Sequence, residues 1–252
     1  MLEEAGGDGL PTSLILSCRD TGSRTITSTR QGVRELSVAH FRKAVRQAFA
    51  KQRKLGKPCW CHLECRQPPD VLLQLMEAWH SEAQAADVKE SQRPPLSVEL
   101  EKTSLNPMDL LPLLRESDVV FFSREFVEHR LLGLLAPEQQ CASERDLALL
   151  CLRALSAAVG EGRQALWTCA WGKFGAFALD RASLRDFYQP AVEITQAVDS
   201  VGAGDTFNAA CIHALLSKAE PDDVLRCGCA VAGRKVSQVG FASLRQGLPP
   251  GL

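Results

Sequence analysis

The chain has 252 residues, of which 45% are hydrophobic and 23% charged, and its formal net charge is −1. This balance is ordinary for one globular domain, or one domain with a small appendage, and lacks the bulk basicity that favours nucleic acid binding. No uninterrupted apolar stretch is long enough to cross a bilayer, and the acidic start of the chain is unlike a signal peptide. We therefore expect a cytoplasmic protein that binds neither nucleic acid nor membrane.

The ten cysteines predict reduced thiols, because their fraction is modest and several lie in apolar periodic segments. Residues 59–65, with the sequence C-W-C-H-L-E-C, have two interpretations. They could hold a metal ion through Cys59, Cys61 and Cys65, but a second distant pair of Cys or His at finger spacing is missing. A buried strand is the favoured interpretation, and a metal protein ranks last among the functional hypotheses.

Hydrophobic periodicity, capping residues and turn residues predict the secondary structure along the chain. Residues 1–12 and 243–252 are interpreted as flexible ends of a domain over residues 13–242. The predicted strands and strand-like segments cover residues 13–18, 25–28, 58–65, 95–100, 119–122, 166–171, 176–179 and 191–197. The predicted helices cover residues 37–54, 68–85, 108–115, 124–132, 143–158 and 206–218, with a last helix or helix pair from residue 221.

Strands and helices alternate after residue 37, and the strands are continuous apolar runs. This pattern is typical of a parallel sheet with helices on both faces. Ligands in such folds bind outside the carboxyl ends of the strands. We expect the loops over residues 172–175 and 202–205 to meet at that edge.

Gly202, Ala203, Gly204 and Asp205 carry the strongest chemical signal in the chain. Glycines let the backbone turn tightly and leave its amides uncovered, and the following helix directs unpaired N–H groups and a positive dipole towards an anion. The segment therefore predicts a phosphate-binding loop with a carboxylate beside it. An alternative is that Asp205 merely caps the helix, which is a common role for Asp at a helix start.

The complete run over residues 198–209, V-D-S-V-G-A-G-D-T-F-N-A, resembles the C-terminal signature of the ribokinase-type (PfkB) carbohydrate kinases. The resemblance implies a ribokinase-like, Rossmann-type αβα sandwich that binds ATP with Mg²⁺. It also implies that Asp205 contacts the sugar as the catalytic base. The amides of Gly202, Ala203 and Gly204 would then stabilise the transferring phosphate.

Further segments are similar to the ketohexokinase (fructokinase) branch of that family, in the same order along the chain. They include residues 21–26, 62–66, 97–102, 118–123, 169–179 and 226–235. The similarity implies ATP-dependent phosphorylation of the 1-hydroxyl of fructose by a homodimer. It places Arg24 on the nucleotide phosphates, and a K⁺ site near Asp199 is a further expectation. The nucleotide would also contact a turn formed by Gly172, Lys173, Phe174 and Gly175.

The chain departs from the family pattern in three places. Nothing before Ser13 matches the family's N-terminal portion, so we expect a truncated chain with only a remnant of the small β lid. The Asn-x-x-Glu motif has no match at residues 123–126, and Cys65 stands where a glycine is expected. The alternative function is therefore a non-catalytic nucleotide-binding fragment or isoform that pairs with a full-length kinase subunit.

Overall fold

The computed structural model describes residues 10–17, 24–29, 36–56, 58–86, 93–163 and 165–244. The predicted flexible ends lie largely outside these ranges, as does the turn predicted after the first strand. The two first strands, β1 (Thr12–Ser17) and β2 (Arg24–Thr29), pair antiparallel and form a separate two-stranded sheet. The predicted hairpin pairing is confirmed.

A six-stranded sheet forms the centre of the larger layer structure, in the order β3-β4-β5-β6-β7-β8. The first four strands are parallel, and the last two pair antiparallel. Their bounds are β3 Cys61–Glu64, β4 Leu96–Leu100, β5 Val119–Ser123, β6 Leu166–Ala170, β7 Ala176–Asp180 and β8 Arg185–Gln189.

Helices connect the strands, and most begin and end close to the positions that the sequence predicts. Ser37 caps the first helix by accepting a hydrogen bond from the N–H of His40 at 3.2 Å, and Ser143 caps the fifth in the same way. The α-helices are α1 Val38–Leu55, α2 Pro69–Ala85, α3 Leu111–Glu116, α4 Arg124–Phe126, α5 Glu144–Val159, α6 Ala203–Leu216 and α7 Pro221–Val236. Shorter turns are the 3₁₀-helices Pro107–Leu110, Leu132–Leu134, Gln139–Cys141 and Gly172–Phe174 and the π-helix Val127–Leu131.

Two hydrophobic cores lie on opposite faces of the sheet. One packs α1, α2, α3 and α5 against it, and the other packs α6 and α7. The side chains of β5 alternate between the two cores, with Val120 and Phe122 in the first and Val119 and Phe121 in the second. β5 is buried on both faces, which is why its first four residues form a continuous apolar run. The predicted αβα sandwich is confirmed.

The predicted strand-like segment over residues 191–197 is wrong. These residues are irregular, and Val192 and Ile194 remain 46% and 37% exposed. The strand that pairs with β7 is β8, which arrives earlier in the chain through a tight turn ending at Leu184, with φ of 55°. Because β8 already takes the free edge of β7, residues 191–197 have no strand to pair with there.

No helix among the described residues is long and apolar enough to cross a membrane.

Candidate active site

The phosphate-loop candidate folds as the sharp start of α6. Gly202 has φ of 74°, and α6 begins at Ala203, three residues before the predicted start. The N–H of Ala203 donates to the carbonyl of Ser200 at 3.2 Å, and the N–H of Thr206 donates to the carbonyl of Gly202 at 2.9 Å. The N–H of Ala203, one of the three amides expected to stabilise the phosphate, is thus already engaged, whereas the amides of Gly204 and Asp205 take no part in these bonds. They are therefore available to an anion at the positive end of the helix.

The surroundings of Gly204 and Asp205 are open on the described surface. Both residues are exposed, and a Cβ built on Gly204 meets no atom within 4 Å. The Oδ2 atom of Asp205 lies 3.7 Å from the position that a Cβ on Gly202 would occupy. Gly202 holds the N-cap position, and Asp205 is the third residue of the helix. The structure thus brings the carboxylate and the uncommitted amides together on one turn.

Asp199 anchors the loop from the other side. Its Oδ1 accepts a hydrogen bond from the N–H of Val201 at 3.0 Å, and its Oδ2 accepts one from the Nζ of Lys235 at 2.7 Å. The hydrogen bond from Lys235, followed by that from Val201, lowers the pKa of Asp199 to about 2. The carboxylate is therefore ionised throughout the neutral range and holds the backbone just before Gly202 in place.

The second predicted site, residues 172–175, is a tight hairpin turn between β6 and β7. The N–H of Trp171 donates to the carbonyl of Gly175 at 2.7 Å, which closes the turn. Gly172 and Gly175 have φ of 58° and 98°. Lys173 and Phe174 form the tip, where the Nζ of Lys173 lies 5.2 Å from the ring centroid of Phe174. The hairpin interpretation is confirmed, and contact with a nucleotide stays a prediction.

The connecting segment, residues 190–198, is irregular and runs from the end of β8, beside this turn, to the phosphate loop. Its start lies directly against Gly175, where an added Cβ would be 2.7 Å from the backbone nitrogen of Ala191. The next residue, Val192, packs on α7, because a Cβ on Gly233 would be 3.0 Å from the Cβ of Val192. Its end donates the N–H of Val198 to the carbonyl of Val236 at 2.8 Å. The two loops are thus joined along α7, whose small residues permit the close approach that the sequence predicts.

The departing motif at residues 123–126 packs beside the same turn. The guanidinium of Arg124 lies 5.2 Å from the ring centroid of Trp171 and 5.9 Å from that of Phe174. Its Nε donates to Glu128 at 2.7 Å. Cation–π contacts of this kind fix a planar side chain against aromatic rings. Arg124 therefore packs against the aromatic side chains of the turn.

Glu101 is a carboxylate with a perturbed pKa that the sequence reasoning did not select. It directly follows β4, and partial desolvation and the negative charge of Glu99 raise its pKa. The charge of Asp205 contributes in the same direction, while Arg66 opposes it. Asp205, at the start of α6, is therefore one of the charges that act on the residue following β4. A carboxylate placed directly after a parallel strand is the signal that could have identified it.

The cysteine cluster is a packed part of β3 and its flanks. Cys61 and Cys65 are buried, and burial raises the pKa of each thiol to about 12. Across the described ranges, no group of three His, Cys, Asp or Glu side chains is arranged to hold a metal ion. Mg²⁺ usually keeps several waters and binds through substrate phosphates with one or two carboxylates, so the residues present fit an ion that arrives with the nucleotide.

A separate cavity lies at the opposite edge of the sheet. It measures about 860 Å³ and is lined by His80, Arg93, Arg115, Glu116 and Arg163, among others. Arg93, Glu116 and Arg163 precede β4, β5 and β6 respectively, which places the cavity at the amino ends of those strands. Residues 87–92, directly before Arg93, and residue 164, directly after Arg163, lie outside the described ranges. We assign it no part in the candidate site.

Arg24 is the first residue of β2. Only its backbone position is described, so its contact with nucleotide phosphates stays a prediction.

The chain is similar to known carbohydrate kinases in sequence and in fold. The pfkB family carbohydrate kinase profile matches residues 150–246, which include both loops. Mouse ketohexokinase is 30% identical over 231 residues, which make up 92% of this chain and 67% of that protein.

Solved structures show the same fold. A probable sugar kinase from Rhizobium etli superposes with a TM-score of 0.67 at 18% identity, covering 94% of this chain and 63% of that one. Arabidopsis thaliana ribokinase, solved with ribose and ATP, gives 0.61 at 16% identity, covering 91% and 64%. The chain thus spans a little under two thirds of these solved chains. The fold is ribokinase-like, and through its similarity to ketohexokinase the chain belongs to the PfkB family of carbohydrate kinases.

Proposed function

We propose that the protein is an ATP-dependent sugar kinase that transfers the γ-phosphoryl group to the 1-hydroxyl of fructose. The observation that carries the proposal is the exposed carboxylate of Asp205 on the same helical turn as two uncommitted amides. The similarity to mouse ketohexokinase supports fructose as the acceptor.

The chemistry follows from the charges that the reaction moves. As the γ-phosphoryl group leaves ATP, negative charge spreads over its oxygens, and the amides of Gly204 and Asp205 with the helix dipole stabilise it. The carboxylate of Asp205 accepts the proton of the sugar hydroxyl. A carboxylate is a weak base, which suffices when the transition state is loose and the proton leaves late. Mg²⁺ would be bound mainly by the nucleotide phosphates and would neutralise their charge.

The nucleotide would lie across both loops. Lys173 and Phe174 at the tip of the hairpin offer a cation and an aromatic ring, and the connecting segment leads from there to the phosphate loop. Arg24 would contact the phosphates from the small sheet. In this proposal the adenosine end would lie near the turn and the γ-phosphate near Asp205.

The second candidate is a non-catalytic nucleotide-binding fragment or isoform that pairs with a full-length kinase subunit. The candidate site residues on the phosphate loop and the hairpin turn would bind the nucleotide and the transferred phosphoryl group. Among the described residues we identify none that would hold the sugar. Positioning the acceptor hydroxyl can supply on the order of 7–11 kcal/mol of the barrier reduction. Nucleotide binding with no turnover would therefore favour this candidate.

A coupled ADP-release assay with fructose and Mg·ATP tests the proposal on the purified chain beside Asp205→Asn. We expect turnover that falls by about 10²–10⁴-fold in the variant, because the general base is lost. ATP should still raise the melting temperature of both proteins. Asp222→Asn is the matched control, since Asp222 is an exposed acidic residue in the first turn of α7. Equal turnover in Asp205→Asn and wild type would contradict the assignment of the base.

We also propose a homodimer, formed through the small sheet. Its apolar side chains are exposed on both faces, with Leu14 and Leu16 at 62% and 63% on one and Ile15 and Ile26 at 38% and 50% on the other. A two-stranded sheet is marginally stable in water by itself, so a covering partner would stabilise it.

A further inference from the structure

Lys235 lies in the last turn of α7, and its side chain is fully buried, with 0% exposure. Burying an ammonium group is costly unless it is paired and hydrogen-bonded. A lysine at a helix end could instead reach solvent along its flexible stem. Its burial therefore indicates that specific partners hold the charge inside.

Two oxygen atoms of one residue are those partners. The Nζ of Lys235 donates to Oδ2 of Asp199 at 2.7 Å and to the carbonyl oxygen of Asp199 at 3.0 Å. It also lies 5.0 Å from the ring centroid of Phe241. A carboxylate, a carbonyl and an aromatic face are the groups that hold a compact monovalent cation.

Each of these partners bears on the phosphate loop. Asp199 accepts the N–H of Val201, the residue before Gly202, and its Oδ2 also accepts the N–H of Gly240 at 3.3 Å. The ring of Phe241 covers Gly202, where an added Cβ would lie 2.7 Å from its Cζ. One buried charge thus fixes the start of the loop and the ring that packs over it.

We propose that the ammonium of Lys235 is a built-in cation that positions the phosphate loop and takes the place of a bound monovalent cation at Asp199. Lys235 is a positioning residue: it acts through Asp199 and Phe241 and does not touch the substrates. The inference deepens the proposed kinase function and rests on it. It replaces the expected K⁺ site, because the carboxylate that would attract K⁺ is already paired with Lys235.

Chemical rescue distinguishes this role from a general contribution to folding. Wild-type kcat should be equal in K⁺ and in tetramethylammonium salts of the same ionic strength. Lys235→Ala opens a space beside Asp199 and should lose about 10²-fold in kcat with little change in KM for fructose, since the loop amides move from the transferring phosphoryl group. K⁺ or NH₄⁺ should restore most of this loss. Lys235→Met fills the space without charge, and neither cation should rescue it.

Two further variants make the comparison decisive. Lys54→Met is the control, because Lys54 is an exposed lysine in the last turn of α1. If Lys235→Ala does not fold, Lys235→Met/Asp199→Asn removes both charges at similar volume, and it should fold yet lose kcat without any response to cations. Wild-type activation by K⁺, or an unchanged kcat in whichever Lys235 variant folds, would overturn the proposal.

Calorimetric titration with ADP provides a readout that does not depend on turnover. The same pattern is expected for affinity: wild type indifferent to the cation, Lys235→Ala weakened and restored by K⁺, Lys235→Met weakened and not restored. If wild type shows no turnover but ADP binding follows this pattern, the kinase function fails and the role of Lys235 stands. Wild type that neither turns over nor binds ADP would overturn both.

Discussion

At the scale of single residues, the hairpin turn at residues 172–175 depends on the missing side chain of Gly175. A Cβ there would lie 2.0 Å from the carbonyl oxygen of Gln189, and φ is 98°. Gly172 also has positive φ, 58°, but a Cβ on it meets nothing within 4 Å. Gly175 is therefore required both by its backbone conformation and by the lack of space for a side chain, whereas Gly172 is required by its backbone conformation alone.

We expect Gly175→Ala to reduce the free energy of unfolding by about 3 kcal/mol or more, because backbone strain and overlap with β8 add. Gly172→Ala should cost only about 1–2 kcal/mol, the strain of a left-handed residue. Urea denaturation of both variants measures the difference. Equal losses would mean that the connecting segment moves aside and that the turn is not held against it.

Glu101 gives a prediction about pH. Its pKa is raised in the folded protein, so the folded state disfavours the ionised form. The resulting loss of folding free energy is complete above the raised pKa, and it disappears as the pH falls to the ordinary pKa of a glutamate. We expect Glu101→Gln to raise the melting temperature at pH 7–8 by on the order of 1 °C, a small value because the side chain is exposed. The two proteins should melt together near pH 4.

Thermal melts between pH 4 and 8 test this, with Glu77→Gln on the exposed face of α2 as the control. A stabilisation by Glu101→Gln that is the same at every pH would show that the charge is not its cause.

The sequence identifies the local part of the site but not its supports. Gly202 to Asp205 are contiguous, so their turn and helix start can be inferred from neighbouring residues. Lys235 and Phe241 reach the loop from the far end of α7, more than thirty residues later in the chain. Their roles depend on which buried side chain meets which loop, and periodicity carries no information on such pairings.

At the scale of the elements, regular segments buried on one or both faces were predictable and the connecting segment was not. β5 and α5 have apolar patterns that fit a single state. Residues 191–197 carry alternating apolar residues and also resemble a strand, yet Gln189 ends the last strand of the sheet. A segment forms a strand only where a sheet edge is free to pair with it, in addition to having a suitable hydrophobic pattern. Which segment pairs with that edge depends on the arrangement of the whole sheet.

The contact between α6 and α7 depends on Gly228. A Cβ on this residue would lie 2.6 Å from the ring of Phe207 and 2.7 Å from the Sγ of Cys211. We expect Gly228→Ala to lower the free energy of unfolding by about 1–2 kcal/mol, since overpacking outweighs the roughly 0.5–1 kcal/mol gained from helix propensity. Because α6 carries the phosphate loop, kcat should fall as well.

Gly133→Ala is the matched control, because a Cβ there meets no atom within 4 Å. It should be neutral or slightly stabilising, and urea denaturation measures both variants. A stabilised Gly228→Ala would show that the two helices can separate without loss.

At the scale of the whole molecule, the two sheets differ in how well their apolar faces are covered. The larger sheet is covered on both faces by helices, whereas Leu14 and Leu16 project from one face of β1 with more than half of each side chain exposed. Exposed apolar groups that lie together on one strand face mark a surface for association. The proposed homodimer would cover them with the same face of a second copy.

We expect Leu14→Glu/Leu16→Glu to convert a dimer into a monomer, because two carboxylates from each chain would then face each other across the interface. Light scattering coupled to size-exclusion chromatography measures the mass directly. Leu55→Glu, at an exposed leucine that ends α1, is the control and should leave the dimer intact. A monomeric wild-type protein at micromolar concentration would exclude the proposed dimer. A dimer that persists in the double variant would place the interface elsewhere. If the double variant also loses kcat while ADP affinity is kept, the small sheet acts on the sugar side of the site, since the phosphate loop lies on α6 and not on β1.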